Sequence, residues 1–116
     1  MEPVNAEPTT FSVMTSANIF RAVADSTRRA ILDLLAEGDL PVMALAGCFK
    51  MTLPAVSQHL RVLRKAGLVL ERRSGRQRIY ALQPEPLREI ADWVGYYECF
   101  WKTNLKRLRR HLDQNP

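Results

Sequence analysis

The sequence predicts a mainly α fold of the α+β kind: short helices around one core, a single two-stranded hairpin, and a long C-terminal helix. Three observations carry this. Apolar residues recur at helical spacing in four segments before residue 67, two of them opened by a capping residue. Two β-prone runs, 68–73 and 76–82, flank Ser74-Gly75. From residue 86 a near-heptad apolar pattern continues almost to the C-terminus. A chain of 116 residues, 47% hydrophobic and 25% charged, has room for one globular domain.

Residues 1–14 hold Pro3, Pro8 and small polar residues without a period, and are expected to be a flexible leader to a single domain spanning 15–113. Glu2 and Glu7 stand where a signal peptide would be basic, and no apolar run reaches the roughly 18–20 residues of a membrane helix, so a cytoplasmic protein without membrane contact is expected. The first helix is predicted over 16–24, with Ala17, Phe20, Val23 and Ala24 on one side. Asp25 is a good N-cap for a second helix over 26–37, whose apolar stripe is Ile31, Leu34 and Leu35. A third, over 42–49, buries Val42, Leu45, Ala46 and Phe49. After a turn at Lys50-Met51, Thr52 caps a fourth helix running to Ala66, with Pro54 in the first turn, where a missing N–H costs nothing.

The strands follow at 68–82, with Ser74-Gly75 as their turn. In the last helix, over 86–113, Leu87, Ala91, Val94, Trp101, Leu105, Leu108 and Leu112 fall at steps of three, four or their sum, and Tyr97 fills the gap. Gly95 is a place for a bend. So long an apolar stripe on so short a chain calls for burial against a second copy. Phe20, Leu87, Ala91, Val94, Tyr97, Trp101, Leu105 and Leu108 are the predicted dimer contacts.

Charge is distributed unevenly around a net value of +5. Residues 1–50 hold four basic and six acidic side chains. Residues 56–80 hold seven basic ones (Arg61, Arg64, Lys65, Arg72, Arg73, Arg76, Arg78) against Glu71 alone, and 101–112 hold five and no acid. A block of that density suits a surface that neutralises phosphates. Two short helices joined by a tight turn (42–66) and followed by a basic hairpin (68–82) make a winged helix-turn-helix, in which the second helix enters the major groove of duplex DNA. On the 52–66 helix Val56, Leu60 and Leu63 define the core side. Pro54, Gln58, Arg61 and Lys65 lie opposite, with Leu53 and Ser57 flanking.

Donor geometry assigns the roles. Gln58 matches adenine N6 and N7, and Arg61 matches guanine O6 and N7 or a phosphate. Thr52 and Ser57 suit phosphates, while Arg73, Arg76, Gln77 and Arg78 would hold the wing on the backbone or in a minor groove. His59 lies between the two sides, where an internal hydrogen bond competes with a DNA contact.

Residues 20–35, with Asp25-Ser26-Thr27-Arg28-Arg29 at their centre, resemble the opening segment of the ArsR/SmtB family of bacterial winged-helix repressors. Residues 52–69, from Thr52-Leu53-Pro54 through Ser57-Gln58-His59-Leu60 to Ala66-Gly67-Leu68-Val69, are similar to its recognition-helix signature, and 71–82 fit its wing. The resemblance covers about 17–112. It implies a homodimeric repressor on operator DNA of imperfect inverted-repeat symmetry, paired through the first and last helices. It also implies what is missing. Where arsenic-sensing members carry cysteines, this chain has Pro41, Met43 and Ala46, which offer no thiolate to a soft metalloid. Asp92, Glu98 and His111 in the last helix do not have the spacing of a tetrahedral zinc set. A non-metal, autorepressor-like member without cofactor is expected. Lys50 stands in a turn where the family often has Gly or Asn.

Other functions are less well supported by the sequence. No Ser/His/Asp order, Gly-rich phosphate loop, HxxxH or CxxC occurs, which argues against an enzyme. A winged-helix protein–protein adaptor would not need seven cations on one segment. Cys48 and Cys99 raise a thiol-responsive alternative, and Trp93, Tyr96, Tyr97, Phe100 and Trp101 an apolar-ligand pocket. Two unrelated thiols and an aromatic dimer core are the simpler readings.

Overall fold

The computed structural model describes residues 10–114, with side chains from residue 17 onward. Its elements are α1 (Thr10–Val23), α2 (Ser26–Leu35), β1 (Leu40–Pro41), α3 (Val42–Phe49), α4 (Leu53–Lys65), β2 (Val69–Ser74), β3 (Gln77–Leu82), a short 3-10 turn (Glu85–Leu87) and α5 (Arg88–Gln114). The first helix begins earlier than its sequence pattern suggests, so Thr10–Met14 is helical where a leader was expected. The rest of that leader, residues 1–9, lies outside the described residues.

The caps explain where α2 and α4 start. Asp25 has extended backbone, and its carboxylate accepts from the Arg28 N–H at 3.0 Å. Thr52 does the same for α4, its hydroxyl accepting from the Ala55 N–H at 3.3 Å. The helix α2 stops at Leu35, two residues short of the expected end. At the end of α3 the cap residue is Lys50, in left-handed backbone at φ 54, ψ 40. Its N–H and that of Met51 reach back to the carbonyls of Gly47 and Ala46. That geometry accounts for the preference for Gly or Asn at this turn, because a Cβ is disfavoured in left-handed backbone.

The core is a single cluster. Ile19 and Ala22 of α1, Ile31 and Leu35 of α2, Leu45 of α3, Val56, Leu60 and Leu63 of α4, and Leu68 and Val69 at the start of the hairpin are buried together. Val42 and Phe49 are only half-buried against it.

The sheet has three strands in the order β1-β3-β2, all antiparallel. The two-residue β1 pairs with Tyr80 and Ile79 and was not visible as a strand in the sequence. In the hairpin Ser74 pairs with Gln77, so the two-residue turn is Gly75-Arg76 rather than Ser74-Gly75. Gly75 takes φ 65 and Arg76 does not have positive φ, matching the two-residue turns that need glycine first.

The last helix is continuous through Gly95, the place named for a bend. Its 27 residues span about 40 Å at 1.5 Å per residue, and none is buried. The radius of gyration, 19.7 Å, exceeds the roughly 13 Å of a compact chain of this length. Much of α5 therefore projects beyond the core. Leu87 and Ile90 pack against their own protomer's core, which draws Leu87 partly out of the predicted partner-facing set.

Candidate nucleic-acid interface

Recognition starts from the two sides of α4. Val56, Leu60 and Leu63 are fully inaccessible, fixing how the helix is rotated about its axis. Rotation then dictates the outer side: Leu53, Pro54, Gln58, Arg61 and Lys65 are exposed, Thr52 stands exposed at the N-terminus, and Ser57 is half-buried beside them. Gln58, Arg61 and Lys65 share a shallow groove with Asn18 and Arg21 of α1. Arg21 brings a cation from outside the block singled out by charge. In the wing, Arg73, Arg76, Gln77 and Arg78 are all exposed, with Arg76 in the turn itself.

The seven cations of residues 56–80 are not equivalent. Glu71 on β2 holds two of them, with Arg64 Nη1 at 3.1 Å from Oε1 and Arg78 Nε at 3.7 Å from Oε2. It also accepts a 2.9 Å hydrogen bond from the hydroxyl of buried Tyr80. Burial pushes the Tyr80 phenol above its ordinary value of 10, the hydrogen bond and negative charge of Glu71 push the same way, and Arg64 and Arg78 oppose. Arg72 is engaged by Asp39 at 3.2 Å. Arg61, Lys65, Arg73 and Arg76 have no ion pair among the described residues, and they carry the positive charge on the α4 and wing surface. Arg78, predicted as a phosphate contact, shares its charge with Glu71.

His59 is placed by internal contacts. Its Nδ1 lies 3.3 Å from Arg28 Nη1 and 4.0 Å from Asp25 Oδ2. The same Arg28 donates through Nε to the Ala22 carbonyl at 2.8 Å and through Nη2 to the Arg21 carbonyl at 2.9 Å. Arg29 donates to the Val23 carbonyl at 2.7 Å. Two arginines at the start of α2 thus donate to carbonyls in the last turn of α1, among them the Arg21 carbonyl that also accepts from the Ala24 N–H, and one of the two arginines also touches α4. The Arg28 N–H, donating to Asp25, holds that carboxyl below the usual carboxylate range, and the charges of Arg28 and His59 add to the effect against its desolvation. Sequence reasoning missed this clamp. Its only signal was the pair Arg28-Arg29 immediately after a cap.

Along α5 the side chains of Tyr97, Trp101, Leu105, Leu108 and Leu112 are exposed, with Ala91 exposed and Val94 half-buried on the same stripe. Phe20 of α1 meets Trp93 edge-on at 5.4 Å, and Trp93 meets Tyr97 at 5.7 Å, so an aromatic ladder ties α1 to α5. Cys48 and Cys99 are both exposed and unpaired by disulfide. No group of three or more His, Cys, Asp or Glu converges as a metal site among the described residues. No described helix is long and apolar enough to cross a membrane.

Comparison with known proteins agrees with this geometry. Residues 25–70 match the model of the bacterial regulatory protein, arsR family. The HTH-type transcriptional regulator Rv2034 of Mycobacterium tuberculosis is 50% identical over 94 residues, 81% of this chain and 85% of the relative. The transcriptional repressor SdpR of Bacillus subtilis is 36% identical over 77 residues, 66% of this chain and 86% of the relative. Among solved structures, the homodimeric winged helix-turn-helix DNA-binding domain Mb0332 of Mycobacterium bovis superposes with a TM-score of 0.66 at 28% identity, covering 84% of this chain and 93% of that one. With the helix-turn-helix, the wing and these relatives in agreement, the chain belongs to the arsR family of bacterial regulatory proteins and is a winged helix-turn-helix transcriptional regulator.

Proposed function

We propose that the protein is a homodimeric, cytoplasmic repressor that binds duplex operator DNA through α4 and the wing, without metal or cofactor. The observation that carries this reading is the division of α4: one side locked into the core, the other presenting Gln58, Arg61 and Lys65 outward. Bidentate Gln58 and Arg61 read base edges in the major groove. Thr52, Leu53, Pro54 and Ser57 approach the groove wall at the helix N-terminus, and Arg73, Arg76, Gln77 and Arg78 hold the wing. His59, tied to Arg28 and Asp25, positions the helix rather than reading DNA.

Dimerisation supplies the second half-site. The exposed stripe on α5 with the Phe20–Trp93 contact on α1 is an apolar face the protomer leaves uncovered. A two-fold pairing through it presents two α4 helices to successive major grooves. The homodimeric state of Mb0332 supports this arrangement, and the repressor name of SdpR supports the sign of regulation. The absence of thiolate positions at Pro41, Met43 and Ala46 supports a branch that senses no metalloid.

Genome-wide footprinting of the purified protein tests the proposal directly. It should return an imperfect inverted repeat with half-sites about 34–36 Å apart, or a multiple of that. Protection of unrelated sequences without symmetry, or binding that does not weaken with rising salt, would overturn it.

A further inference from the structure

His59 follows Gln58 on α4, yet its ring is turned inward, with 21% of the side chain exposed. Two groups at the α1–α2 corner meet its Nδ1: Arg28 Nη1 at 3.3 Å and Asp25 Oδ2 at 4.0 Å. A guanidinium has donors only, so in the Arg28 contact Nδ1 is the acceptor and the ring is neutral, with its proton on Nε2. Arg28 is not free to turn, because the carbonyls of Ala22 and Arg21 hold its Nε and Nη2 at 2.8 and 2.9 Å. Asp25 is fixed as well, since its carboxylate caps α2 by accepting from the Arg28 N–H at 3.0 Å. The ring therefore stands between a fixed donor and a fixed acceptor, and its protonation state decides which of them it can bond.

We propose that His59 is a proton-operated latch on α4: neutral, it accepts from Arg28; protonated, it releases Arg28 and donates to Asp25, and α4 loses the orientation that reads operator DNA. The inference rests on the duplex-DNA reading above. A proton taken from water onto Nδ1 sets donor against donor at 3.3 Å and brings two positive charges together. The acceptor at hand is Asp25, whose carboxyl the Arg28 N–H holds below the usual carboxylate range, so it stays ionised in mild acid. Closing 4.0 Å to a charge-assisted bond of about 2.8 Å moves the ring by about 1 Å. The other charged groups near α4 are occupied or face elsewhere. The elements packed against it are α1, α2, α3 and β2. Arg21 of α1 lines the groove of Gln58 and Arg61, and Glu71 of β2 is engaged with Arg64, while Arg72 is engaged with Asp39 and Arg73 is exposed on the wing. Arg29 and Asp33 of α2 line a separate depression with Leu87 and Ile90. Neither α3 nor the α4 residues one turn from His59 (Ala55, Val56, Val62 and Leu63) carry charge. Imidazoles change charge between about pH 5 and 8. Operator affinity is therefore lost as pH falls through that range, and by reciprocity operator binding expels a proton.

The test titrates wild type, His59→Gln, Arg28→Met and His111→Gln by fluorescence anisotropy at about pH 8 and about pH 5.5, against the operator that footprinting returns and a scrambled duplex. The glutamine of His59→Gln keeps an amide oxygen for Arg28 and takes up no proton, and melting curves verify that each variant folds. As pH falls, wild type should lose about fivefold in its preference for operator over scrambled duplex. Binding to the scrambled duplex should not weaken, because an added cation favours phosphates. His59→Gln should keep the high preference at both pH values and Arg28→Met the low one, whereas His111→Gln, altering the second of the two histidines, should behave as wild type. Calorimetry of wild type in buffers of different ionisation enthalpy, which needs no variant, should record proton release on operator binding. The proposal is overturned if His59→Gln follows the wild-type pH dependence, if both duplexes weaken together, or if no proton is released. A wild-type protein that binds neither duplex in a salt-dependent way would remove the underlying DNA reading instead. The latch is then read without DNA, from the Arg28 side-chain N–H signals in NMR spectra, which should move between the two pH values in wild type and stay in place in His59→Gln. Signals that stay in place in both would overturn the latch itself.

Discussion

Arg28 ties three helices together, and its removal is the most informative stability experiment the structure offers. The guanidinium donates to two terminal carbonyls of α1, at 2.8 Å to Ala22 and 2.9 Å to Arg21, and a third nitrogen lies 3.3 Å from His59 on α4. Arg28→Met keeps the aliphatic stem and removes all three contacts. A hydrogen bond from a charged donor contributes about 1.5–3 kcal/mol net, and the cost is greatest where the acceptor is left without water. The Ala22 contact is part-buried and the Arg21 contact is exposed, so water recovers most of the second and little of the first. The sum is therefore about 2–3 kcal/mol. Arg29 caps the Val23 carbonyl in an exposed setting, and Arg29→Met should cost no more than about 1 kcal/mol.

Urea unfolding of both variants, followed by far-UV circular dichroism at one fixed protein concentration, measures the difference. Concentration must be held constant because the proposed dimerisation would add to apparent stability by mass action. At a slope of about 1–3 kcal/mol per molar urea, Arg28→Met should lower the midpoint by about 1–2 M and Arg29→Met by well under 1 M. Arg28→Met should also loosen operator binding, because His59 and with it the orientation of α4 lose a fixed partner. Equal, small midpoint shifts for the two variants would refute the idea that Arg28 clamps the helices. They would reduce the contacts to a solvated arginine resting on helix ends.

The remaining expectations concern DNA, assembly and pH. Gln58→Ala and Arg61→Ala should each cost about 1–3 kcal/mol on the operator and relax preference at one base position, while Arg76→Ala should weaken operator and scrambled duplex alike and lower the salt slope by about one unit. Arg78→Ala should lower that slope less, since Glu71 already shares its charge; filter-binding titrations at several salt concentrations separate these cases. Val94→Glu with Trp101→Glu puts charge into the α5 stripe, and sedimentation at about tens of micromolar should show monomers or aggregates where wild type is dimeric. Tyr80 has a raised folded-state pKa, so its contribution is complete below pH 10 and is lost as pH rises through the folded value. Alkaline unfolding curves should show that loss in wild type but not in Tyr80→Phe. Lys50→Gly, relieving left-handed backbone at φ 54, should stabilise the fold by up to about 1 kcal/mol in the same urea assay.

What the sequence made legible, and what it hid, follows from the range of the interactions involved. The start of α4 and its two sides were readable because Thr52, Pro54 and the spacing of Val56, Leu60 and Leu63 act within one or two turns of helix. The hairpin was readable as a hairpin, but its turn was misplaced by one residue. Composition marks a glycine near the turn, whereas register across β2 and β3 decides which position Gly75 occupies. The clamp at Arg28 and the pairing of Arg64, Arg72 and Arg78 were not readable. Arg28 and His59 are 31 positions apart and Asp39 and Arg72 are 33, while Arg64 and Arg78 meet Glu71 from other elements, so no pattern within one helix or strand announces them. This changes the functional argument in kind. Seven cations on one segment suggested a uniformly basic surface, yet Glu71 and Asp39 hold three of them within the protein. Arg64 ties the wing to α4 and Arg72 ties it to Asp39 just before β1, while Arg78 pairs within the hairpin. The cations of that segment without an ion pair among the described residues are Arg61 and Lys65 on the helix and Arg73 and Arg76 on the hairpin, and under the proposed function these are the ones offered to a duplex. The ion pair of Arg64 with Glu71 is the one that fixes the wing at its distance from α4.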